Sequence, residues 1–414
     1  MKPIKRIGIV LCLLTLCLCL MAVSAFAAKE TAPDTLETPK ISTLENKANG
    51  IQISWKSVPG AEKYKLVVKE EGGSWKTIWN TVKTSYTWTG AQSGKTYTFG
   101  ICCYSADGKT ATSAFDSTGK TIKFVARPTI GNLENTTDGV KISWSAIPGA
   151  AKYKLVVKEE GGSWKTIWNT VKTSYTWTGA VSGKTYTFGI CCTTADGKAY
   201  TSAFDSTGKT IKFVACPTIG KLENTADGIK ISWNAIPGAA KYKLVVKEEG
   251  GSWKTIWNTV KTSYTWSGAE SGKTYTFGIR CTTADGKSYT SAFDSTGKTV
   301  KFVACPAIAN LESTKDGIKI SWNKVAGAEK YKLMVKTDSG WKTIWNTVNN
   351  GYVWTGAEKG ETYTFSIRCM TADGKTYTSS WNSTGWSHTY TPPTSGIEDI
   401  FGGDNTESGW GDII

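Results

Sequence analysis

The chain has 414 residues, 19 of them tryptophan and one histidine, and a formal charge of +15. The single histidine, His388, belongs to no Ser-His or Cys-His arrangement that recurs along the chain, and no GxSxG, HExxH or phosphate loop occurs. The charge is almost all lysine and is scattered, whereas nucleic-acid readers gather Arg and Lys on one face, so nucleic acid is excluded as a partner.

The first element is an export signal. Lys2, Lys5 and Arg6 form a basic start, Ile7 to Val23 is an apolar run, and Ala25-Phe26-Ala27 offers small residues for cleavage. The run is short for a membrane anchor, and Cys12, Cys17 and Cys19 lie inside it rather than at a lipoprotein cleavage point. Residues 1–27 therefore read as a signal peptide, and residues 28–40, with Pro33 and Pro39, as a flexible leader. No second apolar stretch of membrane length comes after it, so the mature chain is expected outside the cell, secreted or surface-associated, with no membrane span.

From residue 41 the chain repeats. Ile-Ser-Trp recurs with its tryptophans at Trp55, Trp144, Trp233 and Trp322, a constant interval of 89 residues. The segment from Lys63 to Thr89 returns unchanged from Lys152, with one change at Ser267 in the third copy, and drifts from Lys330 in the fourth. Such a period is too long for a solenoid unit and suits a domain that closes its own core. The boundaries read as 41–128, 129–217, 218–306 and 307–391, followed by an acidic, Gly-rich tail at 392–414 that is expected to be disordered or to serve as a short docking motif.

Within one repeat the periodicity is two. Ile51, Ile53 and Trp55 alternate with polar residues, as do Tyr64, Leu66 and Val68, and then Tyr97, Phe99 and Ile101. Asn49-Gly50, Pro59-Gly60, Gly72-Gly73 and Asp107-Gly108 supply turns between these runs, and no segment carries a helix pattern. About seven short strands per repeat read as an all-β, two-sheet sandwich.

The order Ile53-Ser54-Trp55, Gly60-Ala61-x-x-Tyr64, Thr84-Ser85-Tyr86-Thr87 and Gly94-x-x-Tyr97-x-Phe99 resembles the bacterial fibronectin type III domain found along surface proteins of Gram-positive gut anaerobes. The resemblance covers residues from about 40 to 391. It implies four immunoglobulin-like sandwiches with Trp55, Trp144, Trp233 and Trp322 and the corner residues Tyr97, Tyr186, Tyr275 and Tyr363 in the core. Ala91 and Ser93 stand where that family's corner usually has Leu and Pro, which loosens the corner. The family implies contact-making rather than a reaction.

Cys103, Cys192, Cys281 and Cys369 continue the inward series, one per repeat, as small buried hydrophobes, and cannot pair within a repeat. Cys102 and Cys191 face the other way, and only repeat two offers a further pairing, Cys191 with Cys216. Nothing has metal-ligand spacing and no cofactor is implied. His388 reads as an exposed strand-end residue, and Glu70-Glu71 and its counterparts as solvated turns.

The candidate binding residues are aromatic. Trp75 and Trp79, with Trp164 and Trp168, Trp253 and Trp257, and Trp341 and Trp345, are each spaced to share one face of a short strand, beside Lys76, Lys165, Lys254 and Lys342. Two readings stand: cover for the open edge of the core, or an exposed platform for sugar rings or a protein partner. The function expected is a non-catalytic, monomeric, multivalent adhesin for a protein or glycan on a host or bacterial surface, such as a glycoprotein, matrix protein or immunoglobulin. The alternative is an inert spacer.

Overall fold

The computed structural model describes residues 36–393. The signal peptide, the leader up to residue 35 and the tail from residue 394 lie outside the described residues. The rest is strand and turn, with no helix among the described residues. In repeat one the strands are β1 (Ile41–Lys47), β2 (Gly50–Trp55), β3 (Lys63–Glu70), β4 (Lys76–Thr81), β5 (Ser85–Trp88), β6 (Thr96–Tyr104) and β7 (Lys120–Lys123). They form a three-stranded sheet, β1-β2-β5, and a four-stranded sheet, β4-β3-β6-β7. The same two sheets recur in each later repeat, so the chain is a tandem array of four fibronectin type III-like β-sandwiches.

The alternation in sequence becomes the two inner faces. Ile51, Ile53 and Trp55 from one sheet meet Tyr64, Leu66, Val68, Tyr97, Phe99, Ile101 and Cys103 from the other in one core. The antiparallel register sets Leu66 against Ile101 and Val68 against Phe99, so both strands turn the same parity inward. Trp55 meets Tyr64 edge to face, and Trp88 caps both Tyr97 and Phe99 in the same way. The Gln92 backbone N–H donates to the Tyr97 hydroxyl at 3.0 Å, so the corner closes without the usual Leu and Pro.

Repeats one and two make up most of one compact unit, which runs to Leu133 and adds Lys141–Trp177 and Tyr186–Ile211. Glu134–Val140, Thr178–Thr185 and the chain from Lys212 onward form the second.

All the described cysteines are free thiols, so the pairing of Cys191 with Cys216 is not made. The Cys216 Sγ lies 3.3 Å from the carbonyl of Ala292 in repeat three. Burial pushes the thiols of Cys192, Cys281 and Cys369 from the ordinary 9.0 up to about 11. The fold therefore holds these protons more tightly than the unfolded chain does. Their contribution to stability is intact below pH 9 and is lost as pH rises from 9 towards 11. Denaturant midpoints of the full chain should fall across that window, and Cys281→Ala should flatten the fall for repeat three. A fall unchanged by the substitution would assign it to other groups.

Candidate aromatic binding edge

β4 is the outer strand of the four-stranded sheet, and its pairing with β3 contains a one-residue bulge. Trp79 lies opposite Leu66, but Thr77, not Ile78, lies opposite Val67, so Ile78 is the extra residue. A bulge reverses the side-chain parity of the residues beyond it. Trp79 consequently falls on the side of inward-facing Leu66, while Trp75 falls on the outer face with Lys69. The expectation that Trp75 and Trp79 share one face is thus corrected, and the same bulge separates Trp164 from Trp168, Trp253 from Trp257 and Trp341 from Trp345.

Trp79 lies over the open edge of the sandwich, where β4 and β5 both end their sheets. Its ring stacks on Tyr86 of β5 at 5.1 Å between centroids and 8° between planes. Tyr86 and Ile78 pack against the core, so the indole rests on a fixed floor and leaves its other face to solvent. Trp168 on Tyr175, Trp257 on Tyr264 and Trp345 on Tyr352 repeat the stack at 5.0 to 5.1 Å. Exposure is 48%, 47%, 48% and 47% for Trp79, Trp168, Trp257 and Trp345. Three residues after each indole in sequence, Val82, Val171, Val260 and Val348 are exposed by two thirds or more. Lys76, Lys165, Lys254 and Lys342 are exposed on the same strands. The edge thus offers an aromatic face stacked on a fixed tyrosine, with an exposed lysine three residues before it and an exposed valine three residues after it in sequence, suited to stacking and contact rather than to proton transfer.

Trp75 is placed differently. It meets Phe115 edge to face at 5.4 Å and carries the Lys69 ammonium 4.9 Å above its ring. Phe115 in turn lies on Gly100, where an added Cβ would stand 2.5 Å from its ring. Trp75, Trp164 and Trp253 are half-buried cover for the outer sheet face. In repeat four Ser366 replaces this glycine, and Trp341 packs instead on Trp381 at 5.3 Å.

The remaining candidates sit elsewhere in each repeat. Trp55, Trp144, Trp233 and Trp322 are buried, as are Tyr97, Tyr186 and Tyr275, and Tyr363 is half-buried. His388 is not the exposed residue expected: it is half-buried in its strand, with Nε2 2.9 Å from the Ser313 hydroxyl, because its strand end packs beside that residue. Asp107 accepts from the Ser105 hydroxyl at 2.6 Å and the Lys109 N–H at 3.0 Å, which holds its carboxyl below the ordinary value and staples the turn. Glu70 pairs with Lys95 at 2.8 Å beside its Gly-Gly turn.

Two partners in the edge escaped sequence reasoning. Tyr86 carried a signal, since it shares the parity of Trp88 in the Ser-Tyr-Thr-Trp strand. Val82 carried none, because a single valine after a strand is unremarkable until its neighbours are placed.

No protein-family model matches the chain. It is 26% identical to mouse fibronectin type III domain-containing protein 7 over 336 residues, and 26% identical to the human protein of that name over 342. These matches take in 79% of this chain and 43% of each relative, so the chain spans less than half the length of the curated relatives it matches. Among solved structures, the crystal structure of the FN1–FN3 domains of chicken CNTN1 aligns with 61% of this chain and 94% of its own at 13% identity, with a TM-score of 0.24.

Proposed function

We propose that this is a non-catalytic, multivalent binding protein that acts outside the cell and grips surface glycans or glycoproteins through the tryptophan edge of each repeat. The observation that carries the reading is the constancy of one half-exposed indole, stacked on a tyrosine, in all four repeats. Repeat four has lost the Glu-Glu-Gly-Gly turn, reading Thr337-Asp338-Ser339-Gly340, and has Asn349 in place of Lys83, yet the stack and its exposure persist. A core demand would bury the ring, whereas a half-exposed ring of constant exposure is what a contact residue needs.

A second reading, an inert spacer, is favoured by the short connections between repeats, six residues separating Lys123 from Ile130. The two part on one experiment. The full chain is passed over immobilised host glycoproteins, matrix proteins and polysaccharides. The adhesin reading expects retention that free oligosaccharide or excess soluble glycoprotein reverses, and the spacer reading expects none.

A further inference from the structure

The connection between repeats one and two is built from side chains that bind at once within repeat one and across to repeat two. The Asn46 amide, at the end of β1, donates both to the Lys123 carbonyl of its own repeat at 3.0 Å and to the Thr201 carbonyl of repeat two at 2.7 Å. The Ser93 hydroxyl donates to the Pro148 carbonyl of repeat two at 2.7 Å while accepting the Ala126 N–H at 2.9 Å. Gly149, at φ +83°, meets Gly94 so closely that a Cβ on it would stand 2.7 Å from the Gly94 Cα. Arg127 then reaches Asp205 at 3.8 Å.

The second unit repeats the arrangement between repeats three and four. Asn224 donates to the Lys301 carbonyl at 3.0 Å and the Thr378 carbonyl at 2.8 Å. Ser271 donates to the Ala326 carbonyl at 2.7 Å, and Gly327 meets Gly272 at the same 2.7 Å. Repeat four itself has Ser313 and Lys359 at the positions of Asn46 and Ser93. There Ser313 serves its own repeat, taking the Thr391 N–H at 2.9 Å. In repeat one the Leu36 N–H donates to the Thr112 carbonyl at 2.9 Å, the counterpart of the Thr201 carbonyl that Asn46 engages, and Leu36 lies against Gly60, the counterpart of Gly149. The receiving socket is thus filled by a preceding repeat in one place and by the leader in the other.

We infer that Asn46 and Asn224 are positioning residues that lock each pair of repeats into one two-site body, setting a fixed offset between neighbouring tryptophan edges. Adjacent domains move relative to one another by default unless something holds them, and the short-range contacts across each joint, four between repeats one and two and three between repeats three and four, supply the hold. A locked pair favours a ligand whose epitopes recur at a matching interval, because a fixed offset preserves effective concentration for one spacing and forfeits it for others. That consequence rests on the tryptophan edges being binding sites. The lock does not, and it is read without any ligand.

The test is a distance measurement in the full chain. Nitroxides are carried on ketone side chains introduced at Lys83 and Lys172, both exposed, which avoids the native thiols. Pulsed dipolar spectroscopy then gives the spread of distances between repeats one and two. The lock predicts a narrow distribution in the parent, about a twofold broadening in Asn46→Ala, and more in Asn46→Ala with Ser93→Ala. Asn46→Asp, close in size but without the donor, should broaden as Asn46→Ala does and serves if the alanine variant folds poorly. Ser313→Ala, in repeat four, should leave this distribution untouched. A merely structural asparagine would lower the melting temperature and leave the width alone. A broad parent distribution, or an unchanged width in both the double variant and Asn46→Asp, would overturn the inference.

Discussion

Replacing Trp79, Trp168, Trp257 and Trp345 together by alanine is expected to lower apparent affinity for a polyvalent glycoprotein surface by about 10² to 10⁴, and to leave the four sandwiches folded. The size comes from linkage: each edge is a weak site, and joining weak sites multiplies their effect when the partner is itself repetitive. Survival of the fold comes from position. Each indole rests on a tyrosine outside the closed core and is about half exposed, so its loss removes a stack worth about 0.5 to 1.5 kcal/mol and opens no internal cavity. A single replacement should weaken binding modestly, and losses should grow faster than the number of edges removed. Surface plasmon resonance on the ligand surface, with far-ultraviolet dichroism for the fold, reads both halves.

Phe99→Ala is expected to unfold repeat one alone. The ring is fully buried, pinned by Trp88 at 5.6 Å and set opposite Val68 across the paired strands. Truncating such a ring costs about 3 to 5 kcal/mol through lost burial and the cavity left behind. A sandwich of this size has about 5 to 10 kcal/mol to lose. Calorimetry of the full chain should show one of its transitions shifted far down and the rest held. Phe188→Ala, Phe277→Ala and Phe365→Ala should each do the same to their own repeats. A uniform shift of every transition would mean that the repeats unfold as one body and that the joints dominate stability.

The sandwich was legible because its cause is local: alternation at Ile51, Ile53 and Trp55 and at Tyr97, Phe99 and Ile101 fixes which face is buried, and four copies say it four times. The edge was only half legible. The interval from Trp75 to Trp79 gives the same parity in any regular strand, and the bulge at Ile78 that separates the two indoles comes from a backbone register that side-chain alternation does not encode. Gly100 carried a usable hint, since a glycine inside a strand marks close approach, and here it admits Phe115. The joints left no readable mark. Asn46 sits three residues before an Asn-Gly turn and reads as part of it until Thr201, 155 positions away, is found within 2.7 Å. Its replacement by Ser313 in repeat four becomes meaningful only once that contact is known.

On the proposed function, the four tryptophan edges act together on a repetitive partner. The most direct test compares the affinity of the full chain for one glycan or glycoprotein epitope presented singly in solution and densely on a surface. Binding to the dense form is expected to be tighter by about 10² or more, a gain abolished in the chain lacking all four edge tryptophans. Equal affinity for the two forms, or a gain that survives the loss of those tryptophans, would contradict it.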